Sequence, residues 1–332
     1  MFEKIFIIAE AGSNHNGDLK TAIEMVHQAA SCGADAIKFQ DFSLNSLFAI
    51  EYYAKTLGLT NNSWQHQIKS YSIKPEWHRI IYEEAKSAGI TYFTTPFSIE
   101  IVEEIDEYVP FFKIASCDIT FSPLLKKVAS KGKGIFLSTG ASTIGEMDMA
   151  VDLLRKYNPP FLCIMHCIML YPPPVDALHL NFIQTLSDRF NLPVGFSDHS
   201  RGTDAALLAI GKGAKAIEKH FTLNKNLEGS DHKNSLSPTE LRKLVKKVRL
   251  YEQMLGSSQK IITEMESRER IYARRGIYAA RNLKKGEEIK TSAITFLRPN
   301  ISIGVEKVSD VIGRKLTQDV SKGEPIDYSM FE

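Results

Sequence analysis

Eight short apolar runs recur along this chain, each followed by a stretch with helical spacing. They read IFIIAEAG, AIKFQ, ITYFTTPF, FFKIAS, GIFLSTG, FLCIMHC, VGFSDHS and AIEKHF, and they occupy residues 5–221. The runs are rich in β-branched and aromatic residues, as strands are. Between them lie amphipathic segments such as LKTAIEMVHQAASCG (19–33) and EWHRIIYEEAKSAG (76–89). Both end in glycine, a common helix terminator. Strand–helix alternation implies parallel strands joined by crossover helices. Eight such units in about 220 residues predict an α/β fold, a (β/α)8 TIM barrel, which typically takes about 250 residues. The rival is an open doubly wound sheet. That fold more often carries a G-x-G-x-x-G fingerprint after its first strand, and here the position reads EAGSNHNG.

A helix closes the barrel domain, 1–256. Ser237-Pro238-Thr239-Glu240 has a capping-box pattern with proline at the first helical position. An apolar stripe of Leu241, Leu244, Val245, Val248, Tyr251 and Leu255 runs from there to Gly256. The polar segment SSQKIITEMESRERIYARR (257–275) reads as a linker. From Gly276 short strands and turns replace the alternation, giving a small β-rich domain, 276–332. Two phrases echo each other within it, NLKKGEEI (282–289) and DVSKGEPI (319–326). Each reads as a strand end, a tight turn at Lys-Gly and a new strand.

The bulk numbers narrow the function. The 332 residues are enough for two domains, and 41 basic against 39 acidic residues leave a formal charge of +2. That balance carries no polyanion-binding signal, so no nucleic-acid partner is expected. No apolar run approaches the roughly 20 residues of a membrane helix. The start, MFEKIFIIAEAG, lacks a basic flank and a signal-type cleavage site, so it reads as the first strand. Four cysteines are too few for a disulfide scaffold in a chain this long, which points to a reduced, cytoplasmic setting.

In a parallel barrel, function gathers at the carboxyl ends of the strands. Polar residues fall there run by run: Glu10; Lys38 and Gln40; Thr94 and Thr95; Lys113 and Ser116, with Asp118 beyond; Ser138 and Thr139; His166, with Tyr171 beyond; Ser197, Asp198 and His199; Glu218, Lys219 and His220. Lys38 and Lys113 each sit between apolar neighbours, where an unpaired ammonium is costly to bury. They either pair with a barrel carboxylate such as Glu10 or converge on an anion at the mouth. His199 and His220 end consecutive runs, and imidazole suits first-row divalent metals. Two structural histidines are the other reading. Cys163, His166 and Cys167 make a weaker metal set, because alternation turns His166 away from both cysteines. Ser197-Asp198-His199 cannot fold onto itself as a nucleophile–base–orienter triad. From the residues alone this is a metal-assisted barrel enzyme with an anionic substrate.

The chain also resembles bacterial sialic acid synthases, the nonulosonate synthases that condense phosphoenolpyruvate with an N-acyl sugar. The matching pieces are IIAEAGSNHNGD, ADAIKFQ, TTPF, KIAS, LSTGAS, HCIMLYP, GFSDHS, AIEKHFT and GSDHKNSLSP, then ARRGIYAARNLKKGE and LRP in the small domain. They occur in family order and cover nearly the whole chain. The resemblance implies an antifreeze-like (SAF, β-clip) second domain and condensation of phosphoenolpyruvate with an N-acyl hexosamine such as N-acetylmannosamine or a diacetamido analogue. It implies a divalent metal, usually manganese, on His199 and His220. It implies phosphoenolpyruvate contacts from Lys38, Thr95, Lys113, Ser116, Ser138 and Ser197, and proton or water handling by Glu10 and Asp118. Gln40, Tyr171 and Asp231 are expected on the sugar. Arg298 is expected to reach the acyl-amino group from the partner of a domain-swapped homodimer.

Three departures lie near the expected site. Asp118 replaces a common Glu, Ile168-Met169 replaces Thr-Asn, and Asn300 follows Arg298-Pro299 where Gly is usual. They bear on the identity of the sugar more than on the reaction class. The alternative reading is a metal-dependent barrel aldolase or sugar isomerase. It accounts for the histidines but not for the small domain. A non-enzymatic ice- or glycan-binding role would rest on the small domain alone.

Overall fold

The computed structural model describes residues 2–61 and 63–331. The chain divides into two compact units, Met1–Leu255 and Gly256–Glu332.

In the first unit the eight apolar runs form eight strands: β1 (Phe6–Gly12), β2 (Ala36–Asp41), β3 (Thr91–Pro96), β4 (Phe111–Ile114), β5 (Gly134–Ser138), β6 (Leu162–Cys167), β7 (Val194–Asp198) and β8 (Ala216–His220). The order around the sheet is β3-β2-β1-β8-β7-β6-β5-β4. Every pairing is parallel. Because β1 pairs with β8 and β3 touches β4, the sheet closes into the expected TIM barrel. Helices such as Leu19–Ser31, Pro75–Ala88 and Asp204–Gly211 cross between the strands. Asp18 starts the first of these by accepting from the Thr21 amide at 3.0 Å. The last, Pro238–Leu255, starts at the expected capping box: Glu240 accepts from the Ser237 amide at 2.8 Å. Its stripe is buried from Leu241 to Val248, but Leu255 is exposed, so the buried face ends before the helix does.

Aromatic rings fill the amino-terminal end of the barrel. Phe93 meets Phe111 at 4.7 Å, Phe111 meets Phe136 at 5.4 Å, and Phe6 stacks on Phe136 at 6.0 Å. Such pairs add about 0.5–1.5 kcal/mol each beyond simple burial. This apolar plug occupies one end and leaves the polar strand ends to form the other. Between β2 and β3 the chain makes a long excursion with three short helices, Leu44–Leu47, Ile50–Thr56 and Ser63–Tyr71. Strand alternation alone does not announce that excursion.

The second unit carries an antiparallel pair, β9 (Gly276–Ala279) and β10 (Ile294–Leu297), over a core that includes Ile277, Leu283, Ile289, Val320 and Ile326. The two echoed phrases pair with each other. Leu283 and Val320 exchange backbone hydrogen bonds of 2.9 and 3.0 Å and are both buried. The segment read as a linker contains a helix, Glu264–Ala273, started by a Thr263/Glu266 capping box. All of its residues are exposed, which is why its sequence looks like a linker.

Candidate active site

Period-2 alternation sorts the strand ends into two sets. Glu10, Lys38, Lys113, Ser197 and Glu218 point into the barrel, where they line a cavity of about 190 Å³. Their strand neighbours point out. Asp198 pairs with Lys219 at 2.7 Å on the helix side, and also accepts from the Ser200 amide at 2.8 Å. This settles the Ser197-Asp198-His199 trio: Ser197 and His199 line the cavity, and Asp198 holds the turn.

The two lysines are ion-paired. Lys38 Nζ lies 2.7 Å from Glu10 Oε2 and 3.7 Å from Glu218 Oε1, and donates to Thr95 Oγ1 at 3.0 Å. Lys113 Nζ donates to both Glu218 oxygens at 3.0 Å. Ser197 Oγ donates to Glu218 Oε1 at 3.1 Å, and Gln40 Nε2 to Glu10 Oε1 at 3.0 Å. All of these residues except Gln40 are almost fully buried. Two ammoniums against two carboxylates make the cluster neutral overall, which is how a barrel interior tolerates four charged groups. Burial lifts the Glu10 carboxyl above the usual carboxylate range even with Lys38 beside it. Burial acts the same way on Glu218, but Lys113 and Lys38 outweigh it and hold that carboxyl at about 2. Burial opposes the charge on Lys38, yet Glu10 and Glu218 raise its pKa above the ordinary lysine value.

Ser116 and Ser138 complete the expected anion-binding set in the same cavity. Ser116 Oγ accepts from the Gly140 amide at 2.9 Å and lies 3.0 Å from Cys167 Sγ. Asp118 is placed differently. It sits in the turn Ser116–Asp118 outside the lining, with Cys117 Sγ 3.8 Å from its carboxylate. Burial pushes its carboxyl up to about 6.

His199 and His220 face each other with ring centroids 5.5 Å apart, and Tyr171 stacks on His199 at 4.0 Å. His199 Nδ1 is 2.7 Å from the Ile168 carbonyl, to which it donates. That bond assigns the proton to Nδ1 and makes Nε2 the acceptor nitrogen, 3.4 Å from Ser197 Oγ. Burial, then the neighbouring His220, holds the His199 pKa down at about 3, so the ring is neutral. His220 Nδ1 is buried with no aligned hydrogen bond, 3.3 Å from Asp231 Oδ2. Two facing imidazoles, one neutral at His199 and one with an unsatisfied Nδ1 at His220, fit a divalent cation. Among the described residues no group of three or more His, Cys, Asp and Glu side chains converges on such an ion. The protein would therefore supply two ligands and leave further positions open.

A second recess of about 360 Å³ adjoins the first and shares Gln40, Phe97, Tyr171 and His220 with it. Asp231 lines it, so all three residues expected on the sugar from this unit lie together. Its other wall is apolar, built from Phe42, Leu47, Phe48, Ile68 and Phe97. Gly12 closes the space between the two chambers. It has φ +52°, and a Cβ there would stand 3.3 Å from Glu10 Oε1 and 3.6 Å from both Asp231 Oδ2 and Gln40 Nε2. Arg298 belongs to the second unit, directly after β10.

Residues 25–260 match the NeuB family model, and residues 274–332 match the SAF domain. This chain belongs to the NeuB family. It is 37% identical to the N,N'-diacetyllegionaminic acid synthase of Legionella pneumophila, over 98% of this chain and 94% of that protein. It is 32% identical to a pseudaminic acid synthase of Campylobacter jejuni, over 99% and 97% respectively. The crystal structure of an N-acetylneuraminic acid (sialic acid) synthetase from Leptospira borgpetersenii, in complex with citrate, superposes with a TM-score of 0.73 at 35% identity. That match covers 81% of this chain and 90% of the other. The chain is thus a synthase-type enzyme, with a TIM barrel followed by a SAF domain.

The sequence reading of this NeuB-family chain places Glu218 at a strand end but assigns no role to this carboxylate, which stands at the centre of the lysine cluster. The signal was present: Glu218 lies two residues before His220 in one strand, so the two share a face. Phe42, Phe48 and Phe97 were also missed, because nothing in their local pattern separates a recess wall from a core.

Proposed function

We propose that this protein condenses phosphoenolpyruvate with the open-chain aldehyde of an N-acyl hexosamine, giving a nine-carbon 2-keto sugar acid and phosphate. The observation that carries this reading is the pairing of two chambers. One is a small cavity with two lysines and four serine and threonine hydroxyls; the other is an adjoining recess large enough for a sugar. Phosphoenolpyruvate has a phosphate and a carboxylate on three carbons, and the Lys38–Lys113 cavity offers fixed cations and hydroxyls to both. On binding, the anion would share the lysines with Glu10 and Glu218, so the charge that holds it is already oriented.

His199 and His220 would hold the divalent cation, with manganese the ion expected. Bound there, it supplies Lewis acidity toward the sugar's aldehyde oxygen. In the reaction C3 of phosphoenolpyruvate attacks the aldehyde carbon, water adds at C2, and C–O cleavage releases phosphate. Glu10 sits between the chambers with a raised pKa and is the proposed proton-handling group. Asp118, outside the lining, is assigned no contact with the reacting atoms.

For the sugar, the apolar wall favours a substrate that buries methyl groups. Hydroxyls pressed against Phe42, Phe48 and Ile68 would lose their hydrogen bonds to water without replacement. A deoxygenated diacetamido hexosamine fits that wall better than N-acetylmannosamine, in line with the diacetyl product named for the Legionella relative. We further propose a cytoplasmic homodimer in which the second unit of one chain supplies Arg298 to the other's sugar recess. All four cysteines are free, and among the described residues no helix is long and apolar enough to cross a membrane.

The test is to incubate the protein with phosphoenolpyruvate, manganese and a panel of N-acyl hexosamines while following inorganic phosphate. Sugar-dependent release, fastest with the diacetamido sugar, is expected. A manganese-loaded protein that releases none with any sugar would sink the reading. Aldol chemistry on pyruvate alone would favour the aldolase alternative.

A further inference from the structure

The loops after β1 and β8 each place residues in the sugar recess: Ser13 from one, Ser230 and Asp231 from the other. Several of their remaining polar side chains are buried against one another. Asn14, Thr222, His232 and Ser235 are all at most 2% exposed. Asn14 divides its two amide hydrogens. One goes to the Phe221 carbonyl at 2.9 Å, directly after His220; the other goes to Ser235 Oγ at 3.0 Å. Ser235 Oγ in turn donates to the Asp231 carbonyl at 2.7 Å. One side chain thus spans the strand that carries His220 and the loop that carries Asp231.

A second link runs alongside. His232 Nδ1 lies 2.7 Å from Thr222 Oγ1, and its Nε2 lies 3.3 Å from Asn16 Oδ1. Asn16 Nδ2 donates to the Glu228 carbonyl at 3.1 Å. The loop crosses His232 so closely that a Cβ on Gly229, at φ +153°, would stand 2.6 Å from His232 Cδ2.

The side chains of His220 and Asp231 are 3.3 Å apart with no aligned hydrogen bond at His220 Nδ1. Their separation is therefore set by whatever holds the two backbones, and Asn14 and Ser235 do that. We infer that Asn14 and Ser235, with the Thr222–His232 pair beside them, are positioning residues that set Asp231 against His220 and so govern sugar affinity. This rests on the reading above, in which Asp231 contacts the sugar. A half-satisfied buried network relaxes readily, and its effect falls on the group it positions. The anion-facing residues Lys38, Thr95, Lys113, Ser138 and Ser197 stand on β2, β3, β4, β5 and β7 and are left in place.

The experiment compares wild type, Ser235→Ala, Thr222→Val, Thr222→Ser and Asp231→Asn with phosphoenolpyruvate, manganese and the diacetamido sugar. Calorimetric titration with the reduced, open-chain sugar alcohol gives a binding readout that needs no turnover. Ser235→Ala and Thr222→Val are expected to raise sugar KM and the alditol Kd roughly tenfold, with phosphoenolpyruvate KM within about twofold of wild type. Thr222→Ser keeps the hydroxyl and stays close to wild type. If Ser235→Ala fails to fold, the Thr222 pair decides. Unchanged sugar affinity in Ser235→Ala and Thr222→Val, or an equal rise for both substrates, would overturn the inference. Asp231→Asn separates the two levels. If it weakens the sugar while the other variants do not, only the positioning role falls. If it leaves the sugar untouched, the assignment of Asp231 falls and the inference with it.

Discussion

Lys38 and Lys113 keep their charges inside the barrel because Glu10 and Glu218 stand against them. Removing one partner of such a pair strands the other, at a cost of about 3–5 kcal/mol. Residue types at run ends made much of this legible in sequence, since a lysine between apolar neighbours has to find an anion. Glu10 was legible as a partner, and Lys38 takes it, but the anion for Lys113 was not, because it depends on how eight strands close. Lys113 takes Glu218, from the opposite side of the sequence, rather than Glu10. The metal proposal is also a residue-scale claim. His199→Ala and His220→Ala should each lose bound manganese and turnover together, read by metal analysis of the dialysed protein. A variant with unchanged metal content and full turnover would remove that histidine from the site.

Asp118 gives a separate test. Its raised pKa means that the folded state binds the proton more tightly than the unfolded chain. The stability this contributes is present below the ordinary value of 3.8 and is lost as pH rises through about 6. Asp118→Asn should therefore stabilise the protein at pH 7 by about 1 kcal/mol, after allowing for partial solvent screening, and not at pH 3. Denaturant midpoints at the two pH values check this. The same variant should keep turnover within a few-fold, since the side chain lies outside the cavity.

At the scale of elements, the strands were readable because each is a short apolar run bounded by polar residues, and all eight became β1 to β8. The excursion between β2 and β3 was not, although its Phe42, Leu47, Phe48 and Ile68 wall the recess proposed for the sugar. Its short helices depend on tertiary contacts, such as Phe48 against Tyr53 at 4.7 Å, more than on periodicity. The helix Glu264–Ala273 escaped for the opposite reason: with every residue exposed it shows no apolar stripe. The end of β1 carries a prediction. Gly12→Ala forces a left-handed alanine and places a methyl 3.3 Å from Glu10 Oε1. The expected result is a stability loss of about 1 kcal/mol, with turnover lowered roughly tenfold or more as Glu10 shifts. Wild-type kcat in this variant would show that Glu10 tolerates displacement and is not the proton-handling group.

For the whole molecule, a closed barrel with an aromatic plug at one end leaves a single polar mouth, and eight strand ends build the site there. The second unit has its own core and its own internal echo, Leu283 against Val320, so it is a separate structural module. Its proposed part in catalysis is testable by complementation. Chains carrying Arg298→Ala mixed with chains carrying Glu10→Gln should recover part of the activity if Arg298 acts across a dimer. A mixture no better than its parents would argue against that arrangement. The central claim concerns the reaction itself, and phosphoenolpyruvate labelled with oxygen-18 at the bridging position tests it most directly. With manganese and the diacetamido sugar, the account predicts labelled phosphate released in step with an unlabelled nine-carbon keto acid. Phosphate without the label, or no sugar-dependent phosphate at all, would contradict it.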